Sequence, residues 1–312
     1  MRPNPCQSSA PTVPAAPTAA ISIDLDSATT HLVGYRRIHH GADRLLDVAV
    51  GRVLELLSAR GLRATFFVVS RDVEPAPDWL RAISQAGHEI ASHSVTHAFG
   101  LSRLPRPRLQ QELTGSREAL EQVTGVGVTG FRAPNWDITP RVIQALARAG
   151  YAWDASLLPT PLLVPARLLL ALKARSASGL VAMAPWPMSL RRGVTRHATD
   201  HGVVVEVPVS VTRWRRWPIY HTLRYGMSPP QFAGLLEGIA RERELLSYPF
   251  HAIDAVGIEE DGIDPQLRRH PGGAYPRAAK LALLEETLGA IGDRFVCRTL
   301  GEVAEAAGKM ER

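Results

Sequence analysis

Short apolar runs alternate with longer amphipathic segments along most of the chain. Apolar residues repeating every three to four positions predict helices, and compact apolar runs bounded by turn residues predict buried strands. We predict strands at 20–26, 63–70, 88–94, 128–134, 151–156, 202–210 and 245–254. We predict helices at 41–61, 78–87, 106–125, 139–150, 228–244 and 275–292, with a less regular stretch from 157 to about 200.

This order of elements predicts an α/β fold with a mainly parallel sheet. The spacing suits right-handed strand–helix–strand units, in which each helix covers one face of the sheet. Seven or eight such units would close into a barrel, whose active-site face lies at the carboxyl ends of the strands. The polar residues of chemical interest follow the predicted strands, so we expect them to meet at that face.

Composition narrows the class of protein. With 312 residues, 45% of them hydrophobic and 21% charged, the chain can bury a sizeable core. The formal charge of +6 comes from 33 arginines and 3 lysines, but no basic stripe is interleaved with aromatics, so nucleic acid is not an expected partner.

Residues 1–19 are rich in Pro, Ala and Ser and lack a signal-like apolar stretch. They predict a disordered tail before a folded region that starts near residue 20, in a cytoplasmic protein.

Two histidine pairs have the spacing i, i+4. If a helical turn begins where the third strand ends, His93 and His97 face the same way and can share one ion. The pair His197 and His201 lies in an Arg-rich, turn-like stretch, which favours a surface loop over a metal site. His88 opens the strand that leads to His93, and a histidine bonded to backbone is the simpler interpretation there.

Asp24 and Asp26 end the first apolar strand. A buried carboxylate is costly unless it is paired or bound to a cation, although an acid at this position can also cap the next turn. One aspartate could complete an Asp-His-His metal site and leave the other as a base. Three protein ligands with open positions are typical of a catalytic metal, because structural sites are closed.

Three later strand ends add charged residues. Arg132 beside a carboxylate would fix it and keep it ionised, and a surface salt bridge is the alternative. Asp154 ends the next strand, where a cap is the alternative. His251 ends a late apolar run, where a structural histidine is the usual interpretation.

Taken in order, these motifs resemble those of the NodB-homology polysaccharide deacetylases. The set is Asp-x-Asp, His-Ser-x-x-His, Arg-x-Pro-x-Trp, Asp-x-Ser and a late histidine, and it extends over roughly 20–307. The family consists of metal-dependent carbohydrate esterases. The resemblance implies a distorted, incomplete (β/α) barrel, here of about seven parallel strands.

The resemblance also implies a metal centre and a base. Asp26, His93 and His97 would hold one divalent ion, for which zinc is the favoured choice. Asp24 would be the general base, and Arg132 would orient it.

The remaining motif residues would act on the substrate. His251 would be the general acid, tuned by Asp154, and the backbone N–H of Asn135 would help to stabilise the oxyanion. The residues that would contact substrate are Pro134, Asn135, Trp136 and Ser156.

The implied activity is removal of an acetyl or formyl group from an amide nitrogen of an amino-sugar-containing substrate. Leu25 separates two aspartates that are adjacent in the commoner family form, and members with this spacing favour small or unusual amides. Alternatives are a lipid-linked amidosugar as substrate, a glycosyltransferase that uses Asp-x-Asp, and a non-catalytic binding module.

The apolar segment Pro159–Arg175 is either a buried helix or lid, or an element at the inner face of the membrane.

Overall fold

A computed structural model describes residues 16–34, 37–40, 42–73, 77–163 and 190–309. In this part of the chain one curled sheet is flanked by helices. The strands are β1 (Thr18–Leu25), β2 (Thr65–Val68), β3 (Glu89–Ser92), β4 (Gly130–Phe131), β5 (Trp153–Asp154), β6 (Thr195–Thr199), β7 (Gly202–Glu206), β8 (Leu246–His251) and β9 (Val296–Arg298). The α-helices are α1 (Ala28–Gly34), α2 (Leu45–Ser58), α3 (Asp78–Gln85), α4 (Arg106–Thr124), α5 (Pro140–Arg148), α6 (His221–Arg224), α7 (Pro229–Glu242), α8 (Arg277–Gly292) and α9 (Leu300–Lys309).

The strand order is β6-β7-β5-β4-β3-β2-β1-β8, and β9 also pairs with β1. Every pair is parallel except β6 with β7. The ends of this order, β6 and β8, do not pair in the described ranges. Ser210, just after β7, narrows the opening: its N–H donates to the Ser247 carbonyl at 3.1 Å. The predicted distorted, incomplete (β/α) barrel is confirmed, with nine described strands instead of about seven.

Burial explains why these segments are strands and helices. Every residue of β2 is buried, as expected for a parallel strand covered on both faces. Helix α2 turns its apolar stripe to the core, and Gly61, at φ 59°, follows its end. Helix α5 begins at Pro140, as predicted, and the Thr139 hydroxyl accepts the N–H of Val142 at 3.3 Å.

The prediction of a surface loop around His197 is wrong. Thr195–Thr199 forms the antiparallel edge strand β6, paired with β7. One side of this strand is exposed and four of its five residues are polar, so the sequence carries no apolar alternation there. The short helices α1 and α6 were also not predicted. Strand β1 begins at Thr18, two residues before the predicted domain boundary.

Strands β4 and β5 are much shorter than predicted, two residues each. The residues that follow β4 form part of the cleft described below, and those that follow β5 lie beneath it. No described helix is long and apolar enough to cross a membrane. Residues 1–15 of the predicted tail, and most of the segment Pro159–Arg175, lie outside the described residues.

Candidate metal centre and active site

A cleft of about 230 Å³ opens at the carboxyl edge of the sheet. Its position follows from the topology, because β1, β3, β4 and β8 are parallel and end together. The predicted site residues that line it are Asp24, Asp26, His93, His97, Arg132, Asn135, Trp136 and His251. The lining residues that were not predicted are Thr30, His31, Phe99, Ala133 and His270.

Asp26, His93 and His97 form one compact group, with ligand atoms within 4.8 Å of one another. The Asp26 Oδ1 atom lies 3.5 Å from His97 Nε2 and 3.8 Å from His93 Nε2. Ligands that share an ion at about 2 Å are separated by about this much. The three predicted ligands therefore meet with spacing that fits a small divalent ion.

The hydrogen bonding of His93 fits the role of a metal ligand. His93 Nδ1 lies 2.7 Å from the Arg132 carbonyl, which can only accept, so Nδ1 carries the proton. Burial lowers the pKa of His93 to about 4 and that of His97 to about 3, so both rings are neutral near pH 7. The lone pair of His93 Nε2 therefore faces Asp26 Oδ1, which has no hydrogen-bond partner among the described residues. Two acceptor atoms face each other there, an arrangement that a bound metal ion would stabilise, as would a proton on Asp26, whose pKa is raised by burial.

The two histidines do not converge through a helical turn, and that expectation is wrong. Ser94 and His97 adopt left-handed backbone conformations, with φ of 67° and 54°. The Ser94 hydroxyl accepts the N–H of His97 at 3.0 Å. Buried Glu112 of α4 accepts both the N–H and the hydroxyl of Thr96, each at 2.9 Å. Glu112 lies among the buried apolar residues of α4. A lone acid in such a position is a sequence signal that could have identified Glu112 as a support for the loop that carries His97.

Arg132 holds Asp24 in the predicted way. The guanidinium is fully buried and donates from Nη1 to Asp24 Oδ1 at 2.6 Å and from Nη2 to Ser22 Oγ at 3.0 Å. Burial raises the pKa of Asp24, but the charge of Arg132 and the nearby histidines outweigh it, and the net pKa is lowered. Asp24 is therefore an ionised carboxylate held in a fixed orientation.

His251 stands beside Asp24, with Nε2 3.8 Å from Asp24 Oδ2. Its backbone N–H donates to Asp254 Oδ2 at 2.9 Å. Its ring centroid lies 6.1 Å from that of His31 and 6.2 Å from that of His270. Burial lowers the pKa of His31 well below its usual value and that of His270 to about 4, so both flanking rings are neutral. Neither lies in a recognisable motif, and sequence reasoning missed both.

Asp154 and Ser156 lie beneath the cleft. Both are fully buried, and the Ser156 hydroxyl donates to Asp154 Oδ1 at 2.5 Å. Ser156 is therefore a structural residue and cannot contact substrate as predicted. Asp154 accepts two hydrogen bonds from Ser156 and makes none to His251 among the described residues, so the predicted tuning of His251 has no direct contact to act through.

The Pro134–Trp136 turn forms one wall of the cleft. Pro134 is buried, whereas Asn135 and Trp136 line the cleft with left-handed backbone, at φ 56° and 58°. The Arg132 guanidinium carbon lies 5.1 Å from the centroid of the Trp136 ring. A left-handed tryptophan is unusual and indicates local strain at a functional site.

The other histidines of the sequence stand apart from this site. His88 Nδ1 accepts the N–H of Ala64 at 3.2 Å, which confirms its interpretation as a structural histidine. In the described ranges no cluster of metal-type ligands includes His197 or His201.

Comparison with known proteins agrees with this geometry. Residues 43–153 match the family model for polysaccharide deacetylases, a segment with His93, His97 and Arg132. A peptidoglycan deacetylase of Helicobacter pylori is 28% identical over 112 residues, which are 36% of this chain and 38% of that protein. A chitooligosaccharide deacetylase of Bradyrhizobium is 35% identical over 101 residues, or 32% of this chain and 46% of that protein. The chain thus spans less than half the length of these curated relatives.

Solved structures extend the likeness of fold to nearly the whole chain. A Mycobacterium smegmatis protein named as a polysaccharide deacetylase superposes with a TM-score of 0.61 at 19% identity, over 95% of this chain and 92% of that one. The Puue allantoinase superposes with a TM-score of 0.60 at 12% identity, over 94% and 91%. The resemblance drawn from the motifs is confirmed: residues 43–153 match the polysaccharide deacetylase family model, and nearly the whole chain shares the fold of the Mycobacterium smegmatis protein.

Proposed function

We propose that the protein is a metal-dependent hydrolase that removes an acetyl or formyl group from an amide nitrogen of an amino-sugar-containing substrate. The observation that carries the proposal is the close grouping of two neutral histidines with Asp26. Beside this group lies Asp24, which is hydrogen-bonded to Arg132. The names of the curated relatives, peptidoglycan and chitooligosaccharide deacetylases, support an acylated amino sugar as the substrate class.

Each step of amide hydrolysis has a candidate group in the cleft. A divalent ion, when bound, supplies positive charge that acidifies water and polarises a carbonyl, and two imidazoles with one carboxylate suit zinc. Asp24, ionised and fixed, accepts the proton of the attacking water. His251 donates a proton to the departing nitrogen, and the Asn135 N–H stabilises the oxyanion.

The surroundings of the two aspartates argue against a glycosyltransferase. Asp24 is bound to Arg132, and Asp26 faces two histidines, so the two carboxylates do not form a pair that would share one nucleotide-bound ion. A non-catalytic module is also disfavoured, because an ionised base and a histidine stand within 3.8 Å of each other without a structural need for the pair.

Release of acetate or formate from a substrate panel tests the proposal. The panel comprises N-acetylated chitooligosaccharides, peptidoglycan fragments and an N-formylated amino sugar. We expect release by zinc-loaded protein, loss after chelation and recovery on adding the ion back. A zinc-loaded, folded protein that releases neither acid from any of these compounds would contradict the proposal, and cleavage of a nucleotide sugar would favour the glycosyltransferase.

A second candidate, a lipid-linked amidosugar substrate, is favoured by one surface feature. Residues 211–218 form a tight hairpin, closed by a bridge between Val211 and Pro218. Trp214 stands at its tip with 87% of its surface exposed, between exposed Arg213 and Arg215. Tryptophan and arginine together suit the interface of an anionic membrane. On this candidate, the hairpin holds the cleft near a substrate anchored in lipid.

Trp214→Ala is expected to reduce co-sedimentation with anionic phosphatidylglycerol vesicles, while leaving metal content and thermal midpoint unchanged. The matched control is Ile38→Ala, which removes another exposed apolar side chain from a different surface. Wild-type protein that stays in the supernatant with these vesicles would contradict the second candidate and leave a soluble substrate.

A further inference from the structure

Glu206, the last residue of β7, is fully buried and lies opposite Asp154 in the parallel register between β5 and β7. The two carboxyl groups lie close enough for each to shift the pKa of the other. Sequence reasoning did not single out Glu206, and the hydrolytic steps above do not use it. Two carboxyl groups in contact, both without solvent, require an explanation.

The neighbouring donors decide which carboxyl group carries the proton. Asp154 accepts the hydroxyl of Ser156 at 2.5 Å and its N–H at 3.2 Å, which stabilises Asp154 as the carboxylate. Glu206 Oε1 accepts the N–H of Leu157 at 3.0 Å, and no N–H or hydroxyl in the described ranges reaches Oε2. Burial and the adjacent Asp154 raise the pKa of Glu206 well above its usual value. Glu206 is therefore the neutral partner and donates to Asp154.

This pair supports one wall of the cleft through Ser156. The Ser156 hydroxyl, while donating to Asp154, accepts the N–H of Ala133 at 2.7 Å. Ala133 leads directly into the Pro134–Trp136 turn, whose left-handed residues need external support. A continuous set of hydrogen bonds thus joins Glu206 to the turn.

We propose that Glu206 is a positioning residue, a neutral acid that orients Asp154 and Ser156 and so fixes the Pro134–Trp136 turn for catalysis. The tests of this role that measure kcat rest on the proposed function, and the test that measures hydrogen exchange does not. It assigns Asp154 to supporting the turn, instead of tuning His251.

Two substitutions of Glu206 test whether it acts as a neutral hydrogen-bond donor or as a charged group. Glu206→Gln keeps a donor for Asp154 and an acceptor for the Leu157 N–H, so kcat should stay within about threefold of wild type. Glu206→Leu removes both at similar size, and a turn displaced by about 1 Å should lower kcat by about 10²-fold with KM little changed. Metal content should be normal in both variants. Loss of kcat in Glu206→Gln equal to that in Glu206→Leu would overturn the proposal, as would normal kcat in Glu206→Leu.

Glu89 provides a matched control at the other end of the sheet. Its carboxyl group accepts the hydroxyl of Thr65 at 2.7 Å and the N–H of Gly301 at 3.0 Å. Glu89→Leu should lower the thermal midpoint without changing kcat. An equal loss of kcat in both leucine variants would mean that general destabilisation explains the effect, and would overturn the proposal.

The rate of amide hydrogen exchange reports on the order of the Pro134–Trp136 turn and needs no substrate. The peptide that spans residues 131–137 should exchange as slowly in Glu206→Gln as in wild type, and faster in Glu206→Leu. If wild type hydrolyses no amide but this exchange pattern is found, the proposed function fails and the support of the turn stands. Unchanged exchange in Glu206→Leu would overturn the support itself.

Discussion

His93→Ala should release the metal, taking its content from about one ion per chain to almost none. The substitution leaves only Asp26 and His97 as protein ligands, whereas a catalytic site needs about three. In the wild type, the hydrogen bond from His93 to the Arg132 carbonyl fixes the imidazole ring for metal binding, and the substitution removes that bond together with the ring. Metal analysis by mass spectrometry after gel filtration measures the result.

His197→Ala is the matched control, because His197 belongs to a pair with the same i, i+4 spacing. Its Nε2 lies 3.4 Å from the hydroxyl of Thr195 on the edge strand β6, away from the cleft. Metal content should stay at the wild-type level. A loss of metal in His197→Ala together with retention in His93→Ala would contradict the assigned metal centre.

Asp24→Asn should keep the ion and lower kcat for amides by about 10²–10⁴-fold, the usual contribution of a general base. The amide has the size of the carboxylate and can still accept from Arg132, but it cannot take a proton from water. Loss of the negative charge also leaves the buried guanidinium without its counterion. We therefore expect a drop in stability of about 3 kcal/mol, measured by chemical denaturation.

Asp261→Asn separates the loss of the base from the loss of an ion pair. Asp261 accepts two hydrogen bonds from Arg52, at 2.6 and 2.7 Å, outside the cleft. This variant should lose stability and keep its kcat. Normal amide hydrolysis by Asp24→Asn would place the base at another residue.

The sequence was sufficient to predict that the candidate metal ligands and the candidate base lie together. Buried parallel strands read as continuous apolar runs, and their carboxyl ends must meet at one edge of the sheet. The polar residues that follow such runs, such as Asp24, His93 and Arg132, therefore share a site even though they are far apart in the chain. The order of the motifs then indicated the family.

Other parts of the site depend on conformation that no periodicity encodes. The left-handed backbone of His97 and Trp136 is set by tertiary contacts, so a helical turn was the wrong expectation for the first. The resemblance to the family implied that Ser156 contacts substrate, but Ser156 is fully buried and its hydroxyl accepts the N–H of Ala133. His31 and His270 reach the cleft from segments without a motif, where only the fold brings them near His251.

Arg132 also has a consequence for how the protein folds. Its side chain joins three strands, bonding to Ser22 and Asp24 of β1 and to the Ala155 carbonyl after β5, from its own place after β4. Asp24 and Arg132 are 108 residues apart, so their contact closes a long loop, which is a slow step in folding. Helices and local turns can form before that closure, but the base is held only after it. On the proposed function, catalytic competence would therefore arrive late in folding, and a chain with most of its helices in place would still be inactive.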